Sequence, residues 1–236
     1  MKITIVHLFY DLMNLYGESG NVLAIQNCLL GQGLDVEIKN ISLTDPLDLT
    51  DVDVIYMGSG TESNMMIALD YLRRHSDEIN DAFSSKKFFL VTGNAIELFG
   101  KKIFINGQVI DGLNIFDYET TKSNSRNVSE CIFNFDEIEE KILGFVNHSS
   151  EMSGISSPLF TVKKGIGSNK SSKIEGIHLN NFYGTYLIGP ILARNPKFLE
   201  YFAKKIILNK YANFEFKDFD FEIEEKAYIK YLEKYN

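Results

Sequence analysis

The first hundred residues alternate short apolar runs with segments whose apolar side chains recur every three or four positions. Four runs, 3–9 (ITIVHLF), 35–41 (DVEIKNI), 52–58 (VDVIYMG) and 88–92 (FFLVT), are dense in β-branched and aromatic residues and predict strands. Between them, 20–33, 62–83 and the short 95–100 predict helices. In the second of these, Ile67, Leu69, Leu72 and Ile79 mark an apolar stripe, and Asp70 precedes Arg74 by four residues, a spacing that places both on one face. Strands and helices alternating in this way predict a mainly parallel sheet covered on both faces.

After residue 100 the pattern changes to strand runs separated by turn signals. Residues 102–110 (KIFINGQVI) carry Asn106-Gly107, a strong hairpin dipeptide, and further strands are expected within 127–135, 142–150, 158–167, 173–182 and 183–189. Pro196 is placed for the first turn of a helix, and 221–236 reads as a charged surface helix. The polar stretches 120–125 (TTKSNS) and 167–173 (GSNKSSK) predict surface loops rather than domain boundaries, so one α/β domain spanning 1–236 is expected.

Composition narrows the function classes. A chain of 236 residues can bury a substantial core, and a net charge of −8 argues against a nucleic-acid or anionic-membrane partner. Cys28 and Cys131 have no paired spacing, so neither a disulfide framework nor a zinc site is expected, and such usage fits a reducing cytoplasm. The apolar run 2–9 stops at Tyr10-Asp11 and no stretch approaches the roughly 20 apolar residues of a membrane span, so export and anchoring are not expected. No spacing of His, Cys, Asp or Glu suggests a metal, and no cofactor is implied. His7, His75 and His178 read as structural, and the acidic run 215–228 as a solvated helix face.

The stretch FFLVTGNAIELFG, 88–100, runs from a strand into a short helix. Such an elbow can hold one residue in a left-handed conformation, lift its side chain off the sheet edge and aim the next N–H at a substrate carbonyl. Gly93 stands at the tip. A glycine there is equally what a tight connection requires, and the local sequence leaves both readings open.

The segments 7–28 (HLFYDLMNLYGESGNVLAIQNC), 45–63 (DPLDLTDVDVIYMGSGTES), 142–150 (ILGFVNHSS) and 182–196 (FYGTYLIGPILARNP) widen the view. In order and approximate spacing they resemble the class I, or triad, glutamine amidotransferases of the cobyric acid synthase-like branch. Within that branch the resemblance is to the glutaminase subunit that feeds ammonia to a Mur-ligase-like partner of the MurT type, which amidates a D-glutamate of peptidoglycan precursors. It implies a flavodoxin-like α/β sandwich: a mainly parallel central sheet, helices on both faces and added antiparallel strands. The family elbow reads V-C-G-G-Y-Q-L-L-G, its cysteine attacking the side-chain amide of glutamine. An ungapped match puts Gly93 in the cysteine's place, Asn94 and Ala95 on the glycines and Glu97 on the glutamine. One inserted residue would bring Thr92 there instead, but it rotates the following helix by about 100° and turns Leu98 and Phe99 outward. The family's basic histidine, in G-T-Y-L-H-G-P, is matched by Ile188, which cannot take a proton. This register predicts a bare backbone carbon facing solvent opposite Ile188.

Other matched positions persist. Gly58-Ser59-Gly60 falls on the family's glycine-rich oxyanion loop, or is simply a strand-to-helix turn. Arg126 falls near an arginine proposed to hold glutamine's α-carboxylate, or is a solvated surface residue. His148 matches the histidine of G-F-E-N-H-G-G and either lines the pocket or is structural, while Val146 replaces the glutamate. With Asn94, these residues form the expected ligand-binding set. Three functions follow from the resemblance and the losses. The chain is a non-hydrolysing binding or regulatory partner of an amide ligase, an active glutaminase using a displaced nucleophile, or a sensor of glutamine or a related amino acid.

Overall fold

The computed structural model describes residues 1–235. Its central sheet is built from β1 (Lys2–Leu8), β2 (Asp35–Ile41), β3 (Val54–Met57) and β4 (Phe88–Thr92), joined later in the chain by β11 (Ile177–Leu179) and β12 (Phe182–Thr185). The order across the sheet is β2-β1-β3-β4-β12-β11, parallel throughout except for β11 on the edge. That is the doubly wound arrangement of flavodoxin-like folds, in which ligands sit beyond the carboxyl ends of the strands. Every residue of β3 and β4 is buried, as is β1 from Ile3 onward, which explains why these strands read as continuous apolar runs. The sheet packs with α1 (Ser19–Gly31), α2 (Glu62–Arg74), α3 (Ser76–Ser84), α4 (Ile191–Arg194) and α5 (Pro196–Lys210), Pro196 standing in the first turn of α5 as expected.

A second sheet holds the chain after the elbow. It contains β5 (Lys102–Ile105), β6 (Gln108–Asp111), β7 (Glu119–Asn134), β8 (Lys141–Ser153), β9 (Phe160–Lys164) and β10 (Ile174–Glu175), in the order β10-β9-β7-β5-β6 with β8 also paired to β7. The two sheets meet near the elbow, where Val146 of β8 bridges Leu187 and the Ile188 N–H donates to the Phe145 carbonyl at 2.9 Å. Asn106 and Gly107 both adopt positive φ, 51° and 76°, as the expected tight hairpin requires.

Four expectations are corrected. The helix over 62–83 breaks at His75, whose backbone leaves the helical region and serves as the end of α2 and the start of α3. Ile67 is exposed, the buried face of α2 being Met65, Ala68, Leu69, Tyr71 and Leu72. Residues 120–125 are no loop: they fall within the first half of the sixteen-residue β7, where Thr120, Thr121 and Lys122 pair with β8 before the register shifts between Lys122 and Asn127. A polar sequence becomes strand here because its partner supplies the hydrogen bonds, which local propensity cannot report. The short helix is a 3₁₀ helix that begins at Gly93, two residues early. The C-terminal surface helix is α6 (Glu222–Leu232), none of whose residues is buried; of that expected segment, residue 236 lies outside the described residues. No described helix is long and apolar enough to cross a membrane.

Candidate functional site

Four neighbouring strands of the central sheet deliver their carboxyl ends to one place. The connection after β1 brings Glu18, that after β3 brings Gly58-Ser59-Gly60, that after β4 brings Gly93-Asn94, and that after β12 brings Ile188-Gly189. Gly93 has φ +63°, the left-handed conformation of an elbow tip, and its N–H donates to the Leu187 carbonyl at 3.1 Å. Contrary to the expectation of a solvent-facing carbon, Gly93 is buried. A β-carbon placed on it would lie 2.6 Å from Ser59 Oγ, closer still to Ser59 Cβ, and 3.0 Å from Ile188 Cγ2. The space above the tip is therefore filled by Ser59 and walled by Ile188. Gly58 needs to be glycine too, since a β-carbon there would meet the Met13 carbonyl at 2.6 Å and Glu18 Oε2 at 2.7 Å.

Beneath the elbow lies a buried polar network. The fully buried Glu18 accepts from the Ser59 and Gly189 N–H groups and, through Oε1, from Thr92 Oγ1 at 3.2 Å. Thr92 Oγ1 is 3.0 Å from the Tyr56 hydroxyl, which accepts from Asn21 Nδ2 at 3.0 Å. Burial pushes the Glu18 carboxyl up to about 7, its three donors opposing that rise. Thr92 is thus committed to this network and does not line the cavity described next.

Above the elbow opens a cavity of about 220 Å³. Of the six residues expected to bind a ligand, Ser59, Gly60, Asn94, Arg126 and His148 line it, and Gly58 stands behind its wall. Asn94 turns its carboxamide onto the loop: Oδ1 accepts from Ser59 Oγ and the Gly60 N–H, both at 3.0 Å, and Nδ2 donates to the Gly60 carbonyl at 2.9 Å. Arg126 extends from β7 and donates to Asn147 through Nε and Nη2, while Asn147 donates to the Tyr16 hydroxyl at 3.2 Å. His148 stacks on Tyr186 with ring centroids 3.9 Å apart and pairs Nδ1 with the Ser150 carbonyl at 2.8 Å. Desolvation lowers its pKa to about 4, so the ring is neutral, its proton sits on Nδ1, and Nε2 is left as a buried acceptor with no partner among the described residues.

Sequence reasoning passed over Lys122 and Glu62, and placed Glu97 only as the match to the family's glutamine. Lys122 Nζ lies 3.3 Å from both Glu62 Oε1 and Glu97 Oε2, in the segment read as a loop. Glu97 is fully buried and burial raises its pKa despite the ammonium beside it; Glu62, more exposed, is lowered chiefly by Lys122. Glu18 lay inside a quoted motif, but an acidic residue in an aperiodic loop gives no signal of burial. Among the described residues no group of three or more His, Cys, Asp or Glu side chains is placed to hold a metal. Cys28 and Cys131 are buried, and desolvation raises them to about 12 and about 11.

A doubly wound sheet whose strand ends present an elbow and a glycine loop to one cavity defines a glutamine amidotransferase scaffold. Residues 4–196 match the CobB/CobQ-like glutamine amidotransferase domain, and the chain belongs to that family. It is similar to the lipid II isoglutaminyl synthase (glutamine-hydrolyzing) subunit GatD of Staphylococcus aureus (strain N315), with 30% identity over 227 residues, 96% of this chain and 93% of that protein. The subunit GatD of Streptococcus pneumoniae (strain ATCC BAA-255 / R6) is 28% identical over 214 residues, 89% of this chain and 82% of that protein. Among solved structures, PurLQS from Thermotoga maritima aligns with a TM-score of 0.57 at 14% identity, covering 98% of this chain and all of that one. A further glutamine amidotransferase aligns at 0.58 and 12% identity, covering 85% of this chain and 98% of its own. At these identities the structural likeness speaks for the fold alone.

Proposed function

We propose that this chain is a non-hydrolysing member of its family, a binding or regulatory partner of a Mur-ligase-like amide ligase acting on peptidoglycan precursors. One observation carries the reading: at the elbow tip Gly93 offers no nucleophile, and Ser59 and Ile188 occupy the space that a side chain and its base would need. A thiol without a base, or a base without a thiol, has little catalytic use, so the two substitutions support one another. The loop, the carboxyl-end cavity and the family scaffold remain, which is what a retained binding role requires.

The test is to purify the protein with its ligase from the native source and compare glutamine with ammonium salts as the nitrogen donor. Amidation with ammonium and none with glutamine is expected. Glutamine-dependent amidation, or ammonia release from glutamine by the complex, would refute the proposal. The charged lining of the cavity favours a second reading, in which the chain senses an amino acid without turning it over. Heat of binding from an amino acid titrated into the isolated protein supports it, and no heat at millimolar concentration rules it out.

A further inference from the structure

We infer that Asn94 supplies from within the chain the carboxamide that a bound glutamine would otherwise present, so that the cavity takes short α-amino acids and excludes glutamine. The inference rests on the non-hydrolysing, ligand-holding reading above. A carboxamide has one oxygen that accepts and one nitrogen that donates. The oxygen of Asn94 takes the Ser59 hydroxyl and the Gly60 N–H, and its nitrogen takes the Gly60 carbonyl, so the loop's groups facing the elbow are all spent on this one side chain. The partners also fix the amide's orientation, since the reverse assignment would face donors with donors. A ligand amide arriving here would find its hydrogen bonds taken and would leave the displaced Asn94 amide unpaired.

The rest of the cavity wall presents both signs of charge. Arg126 is cationic, with Nη1 free among the described residues beyond the two donors it gives Asn147, and Lys122 adds positive charge beside it, while Glu62 contributes a carboxylate. This combination suits a zwitterion: carboxylate toward Arg126, ammonium toward Glu62. A short side chain leaves the Asn94 contacts with the loop in place; a side chain ending in an amide competes with Asn94 for the loop.

The experiment is titration calorimetry of the full chain with L-serine and L-glutamine, on wild type and on Asn94→Ala. Wild type is expected to bind serine at least about tenfold more tightly than glutamine, and Asn94→Ala to reverse that order by freeing three hydrogen-bonding groups. Ser59→Ala, which removes one of the contacts holding Asn94, is expected to shift the preference in the same direction by less, and it serves if Asn94→Ala does not fold. Equal affinity of wild type for the two amino acids, no binding of either, or a preference unchanged in both variants would overturn the inference. Ammonia release is monitored in the same samples: its appearance in wild type counts against the non-hydrolysing reading, whereas a lost size preference without ammonia counts against Asn94 alone.

Discussion

Replacing Gly93 by alanine tests whether the elbow tip is filled. The glycine sits at φ +63°, where a β-carbon costs about 1–2 kcal/mol. That carbon would also lie 2.6 Å from Ser59 Oγ and 3.0 Å from Ile188 Cγ2, an overpacking worth about 1–3 kcal/mol. The sum, about 2–5 kcal/mol, is a large share of a typical domain's stability and, at about 2–4 °C per kcal/mol for a chain of this size, lowers the melting temperature by about 4–20 °C. Urea denaturation of Gly93→Ala, of Ser59→Gly and of the double variant separates the two contributions. Removing the Ser59 side chain is expected to recover most of the contact share and leave the backbone share of about 1–2 kcal/mol together with the weaker contact to Ile188. If Gly93→Ala alone falls within about 0.5 kcal/mol of wild type, the space above the tip is open and the reasoning for a closed elbow fails.

Three further outcomes are expected. Burial holds the Glu175 carboxyl up to about 7 from an ordinary 4.5, so between those values the unfolded chain has released a proton that the folded chain keeps, and folding is opposed as pH rises. Glu175→Gln removes that opposition, and its stability relative to wild type should climb by about 1.4 kcal/mol per pH unit from 4.5 to 7 in parallel denaturation curves. Lys122→Met strands the buried Glu97 and should cost about 3–5 kcal/mol at pH 8, with Glu97→Gln in the same chain restoring most of it; an additive double variant would contradict the pairing. A thiol-directed glutamine analogue should add no mass to the native protein, because Cys28 and Cys131 are both buried with raised thiols, and should label both once the chain is unfolded.

Much of this architecture was legible because its signals are local. β3 and β4 read as strands from unbroken apolar runs, the β5–β6 hairpin from Asn106-Gly107, and the chemistry of the elbow from two short motifs meeting at Gly93 and Ile188. What escaped was set by distant partners. Lys122 read as loop because nothing in a polar hexapeptide announces that β8 will pair with it. The break at His75 and the exposure of Ile67 follow from how α2 and α3 settle on the sheet, while the periodicity alone runs through both. Glu18 was invisible as a buried acid because its burial is produced by four strand ends converging, which no window of sequence contains.

The bridge between the sheets has one last implication. Asn94 and its glycine loop ride on the central sheet, whereas Lys122, Arg126 and His148 ride on the ribbon of β7 and β8, attached near the elbow through Val146, Leu187 and Ile188. The cavity thus draws its two walls from different sheets. Charge seals the seam between them: one ammonium from the ribbon reaches a carboxylate on α2 and another on the elbow helix, and Ser149 adds a hydroxyl bond to the first.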